Sequence, residues 1–168
     1  MSDIISLADF QDGAYTIPQD SYIQAAQQSY LDKYEKKYLI ELLGVALYDL
    51  VIADLVAGVP ATPIYLALYD PFYIDSNSSI KYSEGMKAML IQLVYFYLVR
   101  DLPVKKSSSG VGFNVNEVTN GPSYSGFNIV ESFNEGVDNY AAIQWYIRDN
   151  ATDYPSEPRQ HLNSISGI

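Results

Sequence analysis

Ile23, Ala26, Tyr30, Tyr34, Tyr38, Leu42 and later Leu50 recur near helical spacing, with Gln27, Gln28, Asp32, Glu35 and Lys36 on the other side. The pattern predicts one amphipathic helix, or two joined near Gly44, with Asp20 or Ser21 as N-cap and Gly58 and Pro60 as the stop. Thr62-Pro63 then places a cap and a first-turn proline before a short helix from Ile64 to Tyr69, which Asp70-Pro71 ends. Residues 75–79 form a polar turn. Next, Tyr82, Met86, Met89, Leu90, Leu93, Val94 and Tyr97 share one helical face, and positions 90–99 are apolar nearly all round apart from Gln92. Such a helix belongs at the centre of a fold or beneath a neighbouring subunit. Pro103 forbids its continuation.

Residues 105–126 change character, being rich in Gly, Ser and Asn. Val111, Phe113 and Val115 alternate there with Gly112, Asn114 and Asn116, and Asn120-Gly121-Pro122 marks a turn. This predicts an extended loop or a β-hairpin projecting from a helical body. A last helix follows, in which Val130, Phe133, Val137, Tyr140, Ala141 and Ile147 repeat at steps of three or four. The expected fold is mainly α: a compact bundle of about four helices in a single domain, with extended terminal arms. Its parts are an N-terminal arm (1–19) with Leu7, Phe10, Tyr15 and Ile17 able to dock, a helical body (20–104), the loop or hairpin (105–126), the last helix (127–150) and a C-terminal tail (151–168).

Composition narrows the function classes. The 168 residues are 48% hydrophobic and 18% charged, enough for a sizeable core. With 10 Lys+Arg against 20 Asp+Glu, the net charge of −10 argues against a protein that works by neutralising phosphates. The absence of cysteine removes disulfides, thiolate metal sites and thiol nucleophiles, and the single histidine, His161, would have to carry any triad or imidazole metal site alone. No signal sequence or membrane span is expected, which points to the cytosol. Charge is segregated: residues 39–80 carry Glu41, Asp49, Asp54, Asp70 and Asp75 but no Lys or Arg, and residues 107–146 repeat the pattern with Glu117, Glu131, Glu135 and Asp138. Segregation of this kind gives one acidic face and a second, mixed face for docking.

Candidate chemistry is sparse. Asp49 and Asp54 stand five apart, the wrong spacing for one helical face. Glu131, Glu135 and Asp138 do share a face, though a solvated acidic stripe is a far commoner reason for that spacing than a cation site. Gly110-Val111-Gly112 lacks the strand, helix and third glycine of a nucleotide-binding turn. No cofactor, metal or catalytic residue is expected. Sixteen tyrosines stand out, and the ladder Tyr30, Tyr34, Tyr38 fits either core packing or an inter-subunit face.

The run Tyr38-Leu39-Ile40-Glu41-Leu42-Leu43-Gly44-Val45-Ala46-Leu47-Tyr48-Asp49-Leu50 resembles the helix, Leu-Gly, Leu-Tyr-x-x-Leu signature of head–tail connector (adaptor) proteins of tailed bacteriophages. The aromatic-rich helix at 81–100, the Gly/Ser/Asn loop and the later helix follow in the same order. The segment Asn139-Tyr140-Ala141-Ala142-Ile143-Gln144-Trp145-Tyr146-Ile147, with Tyr154-Pro155 after it, is similar to versions in phages of Bacteroides-type hosts, including the neck ring proteins of crAss-like phages. The long loop and the Tyr-Pro tail depart from the better-known connectors. The resemblance implies a non-enzymatic virion protein of the neck, assembled in the host cytoplasm into a homo-oligomeric, twelve-fold ring. That ring would dock on the portal or on a neighbouring ring or tail protein, extend the DNA channel without binding DNA specifically, and give the tail a platform. On that reading the hairpin at 111–119 and both terminal segments reach neighbours, with Val111, Phe113, Val115, Tyr30, Tyr34, Tyr154 and Pro155 as contacts. Glu131, Glu135 and Asp138 would face the channel. The alternatives are a small cytosolic helical scaffold with no ring and, more remotely, a carboxylate-dependent, metal-assisted hydrolase.

Overall fold

The computed structural model describes residues 4–17, 24–76, 79–101, 104–107, 110–113, 126–155 and 162–165. Among these the chain is mainly helical: α1 (Gln24–Leu43), α2 (Val45–Ala53), α3 (Pro63–Tyr69), α4 (Met86–Asp101) and α5 (Gly126–Asp149). Three two-stranded antiparallel ladders interleave with them: β1 (Leu55–Val56) with β2 (Val59–Pro60), β3 (Phe72–Ser76) with β4 (Ser79–Ser83), and β5 (Val104–Ser107) with β6 (Gly110–Phe113). The helical bundle with a hairpin is therefore as expected, with five helices because the first hydrophobic stretch is cut in two. The cut falls at Gly44, whose φ of 77° and ψ of 166° lie in a region essentially closed to side-chain-bearing residues.

The apolar run of α4 places it at the centre. Met86, Met89, Leu90, Leu93 and Val94 are fully buried, and α4 packs against α5, α1, α3 and the 3-10 turn Leu7–Phe10. At about 1.5–3 kcal/mol per buried large apolar side chain, this helix supplies much of what offsets the chain's ordering entropy. Gly136 lets α5 come close, since a Cβ there would lie 2.7 Å from Leu93 Cγ.

One expectation is corrected. Tyr82 does not begin the central helix; it lies in β4, directly opposite Tyr73 in β3, and is exposed. The alternation Phe72-Tyr73-Ile74 and Ile80-Lys81-Tyr82 has strand periodicity, and Gly85, at φ +88°, breaks the chain between β4 and α4. In the loop segment, Val111 lies opposite Lys106 and Phe113 opposite Val104; the expected turn at Asn120-Gly121-Pro122 lies outside the described residues. Val115 and the rest of 114–125 lie outside the described residues, as does His161.

Candidate interaction surfaces

Residues 4–17 are docked on their own chain. Ile4, Ile5, Phe10 and Ile17 are buried in the core. The buried carboxylate of Glu35 on α1 accepts the Ile4 and Ile5 backbone N–H groups at 3.1 and 3.0 Å, one per oxygen. Asp9 accepts hydrogen bonds from the Ser6 backbone N–H and hydroxyl and pairs with Lys87 Nζ at 2.8 Å. Burial pushes the Asp9 carboxyl up, but the bonds from Lys87 and Ser6 outweigh it and hold the group below its ordinary value. The bond to Asp9 correspondingly raises Lys87.

Tyr15 joins this arm to a polar network between α4 and α5. Its hydroxyl donates to Glu135 Oε2 at 2.8 Å and accepts from Gln92 Nε2 at 3.3 Å. Gln92 Nε2 also donates to Glu84 Oε2 at 2.6 Å, while Asn139 Nδ2 donates to Gln92 Oε1 at 2.8 Å and Asn139 Oδ1 accepts from the Glu84 N–H at 2.8 Å. Burial, with Glu135 beside it, raises the Tyr15 phenol to about 12. The network satisfies buried amides and fixes register between helices, which is structural work.

The tyrosine ladder also resolves inward. Tyr34 is 8% exposed and stacks on Tyr97 with ring centroids 3.8 Å apart, and the Tyr38 hydroxyl donates to that of Tyr97 at 2.9 Å. Burial pushes the Tyr38 phenol far above its usual range. Lys33 and Lys37 lie over Tyr34 and Tyr38, and Arg100 over Tyr97. The expectation that Tyr34 contacts a neighbour is corrected: its ring is spent inside the chain. Tyr30, at 5.8 Å from the Tyr34 ring, stays half-buried with some surface to offer.

Tyr154 is corrected in the same way. It is buried, its hydroxyl donates to the Ile64 carbonyl at 2.8 Å, and burial raises its phenol. Pro155 beside it is half-buried. Farther along, Ile165 exchanges two hydrogen bonds with Asn134 on α5, so the described parts of both terminal segments pack on their own chain.

The three acidic residues expected to face a channel share one environment on α5. Glu131, Glu135 and Asp138 are all exposed on one face, with Glu135 also holding Tyr15. Among the described residues, no three acidic or histidine side chains gather as a metal site.

Sequence reasoning missed the surface that stands out most. All the large hydrophobic side chains left exposed among the described residues fall between residues 45 and 82. One group is Val45 and Leu50, both exposed on α2, Val56 (67% exposed) and Val59 in β1–β2, and Ile64 on α3. These elements are tied together by Asp54, whose carboxylate accepts from the Thr62 hydroxyl at 2.6 Å and backbone N–H at 2.7 Å and is held below its usual value by those bonds. The second group is one face of the β3–β4 ladder: Tyr73 (72%), Ile80 (74%) and Tyr82, with the Tyr73 and Tyr82 rings 4.9 Å apart. The opposite face, with Ile74 buried and Phe72 against Tyr146, packs on the body. Period-two alternation through 72–76 and 80–82 was the available signal for this second group. The first had none, since Leu50 and Leu47 look alike in sequence while one is exposed and the other buried.

No protein-family model matches the chain, and no curated protein or solved structure matches it. No helix among the described residues is long and apolar enough to cross a membrane.

Proposed function

We propose that this chain is a structural subunit of a bacteriophage neck, associating with its own copies into a ring between portal and tail. The observation that carries the reading is the bare apolar surface of residues 45–82 on a body whose other large hydrophobics are packed away. Exposed apolar surface beyond scattered single residues marks a site of association, and here it begins at Val45, next to the Leu-Gly break at Gly44 on which the resemblance to connector proteins rests.

The ring has twelve subunits, docks on the portal or an adjacent ring and gives tail proteins a platform, and its role is non-enzymatic. Glu131, Glu135 and Asp138 face the lumen, where an acidic wall repels phosphates and lets the genome slide without adhering. No cofactor takes part. The test is co-expression with the portal protein of the same phage, followed by electron microscopy. A ring of this chain seated on the portal is expected. A chain that fails to co-purify with portal and stays monomeric overturns the reading in favour of a helical interaction protein with no ring.

A further inference from the structure

Charge divides the outside of this molecule as sharply as hydrophobicity does. On α1, Lys33, Lys36 and Lys37 stand at i, i+3 and i+4 and are all exposed, forming a basic ridge. The acids near them are otherwise occupied: Glu35 points inward to the Ile4 and Ile5 N–H groups and Asp32 takes a hydrogen bond from Gln28 at 2.7 Å. Lys33 and Lys37 lie over the Tyr34 and Tyr38 rings of their own helix, and Lys37 also makes a loose ion pair, 3.9 Å to Glu41. Ala25, Ala26 and Ser29, exposed one and two turns earlier, keep that face low enough for close approach.

The α2–α3 surface has the opposite character. Val45, Leu50, Val56, Val59 and Ile64 are exposed on these elements, as are the carboxylates of Asp49 at α2 and Asp70 at the end of α3, and no Lys or Arg occurs anywhere from residue 39 to 80. We propose that this surface seats α1 of a second copy of the chain, with the lysine ridge over Asp49 and Asp70 and the lysine stems lying on the valines and Leu50. Neither surface suits a copy of itself, because ridge on ridge and acid on acid both repel. The contact is therefore heterologous, the head-to-tail geometry that closes into rings. The inference deepens the proposed ring by naming the faces that meet.

The experiment is a charge swap read by sedimentation velocity and electron microscopy, on the chain alone and with portal. One variant carries Lys33→Glu, Lys36→Glu and Lys37→Glu; another carries Asp49→Lys and Asp70→Lys. All five positions are exposed, so both variants fold, as circular dichroism will check. Each alone should lose roughly a hundredfold or more in self-association. A mixture of the two should recover it, because each reversed face then meets its complement in the other variant. Wild-type rings with either variant assembling normally, or a mixture that stays dissociated, overturn this contact while the ring stands. A wild-type chain that is monomeric in both settings overturns the contact and the ring together.

Discussion

The interior built by α1, α4 and α5 and the segment from α2 to β4 treat the same residue types in opposite ways. In the first, Leu90, Leu93, Tyr38 and Tyr140 are sealed away, and even Gln92 and Asn139 find partners. In the second, Leu50, Val56, Tyr73 and Ile80 face outward with nothing described to cover them. Hydrophobicity is thus put to two uses in one chain: the interior stabilises the monomer, and the outer segment leaves exposed the apolar side chains on which the proposed contact rests.

The joint between the regions should be the most sensitive point. At Gly85 an added Cβ would strike the Tyr69 carbonyl and approach Asp70, backbone atoms that cannot swing aside, in a residue already at φ +88°. Gly85→Ala should cost about 4 kcal/mol, measured by urea denaturation. Within the interior, Leu90→Ala should cost about 3 kcal/mol by the same measurement, from lost burial plus the cavity left behind. Glu35→Ala leaves two buried N–H groups without their carboxylate and should cost about 2 kcal/mol, with faster amide exchange at Ile4 and Ile5.

Next comes pH. The Asp9 carboxyl is depressed, so its contribution is present above its unfolded value and fades as pH falls through its folded one. Lys87 is raised, so its contribution is present below 10.5 and is lost as pH climbs through its folded value. Tyr15 follows the same sign, losing its contribution as pH rises through about 12. Amide exchange across residues 4–17 should therefore accelerate at both extremes while α4 stays protected. The smallest effect belongs to the outer segment: Leu50→Ala and Tyr73→Ser should leave monomer stability within about 0.5 kcal/mol. A large loss there would erase the distinction between the regions.

Local chemistry explains what the sequence revealed. Thr62-Pro63 and Asp70-Pro71 bracket α3, and the all-round apolar run marks α4 as central. Tyr82 misled because it stands four residues before Met86, in phase with a helix that begins only after Gly85. Gln92 was visible as a lone polar residue in an apolar run, but its partner Asn139 is 47 residues away, and such pairings have no local mark. The tyrosine ladder was legible as a face and illegible as to what it faces, since Tyr97, which claims it, lies on another helix. The three acids of α5 were correctly read as one exposed face.

The docked arm carries an implication for the order of events during synthesis. Tyr15 bonds to Glu135, 120 residues farther along. At about 5–20 residues per second, the ribosome takes roughly 6–24 s to cover that distance. The segment made early is thus fastened late, and until Glu135 emerges the nascent chain holds Phe10 and Ile17 without their finished seat, available to chaperones or to a sister chain on the same messenger.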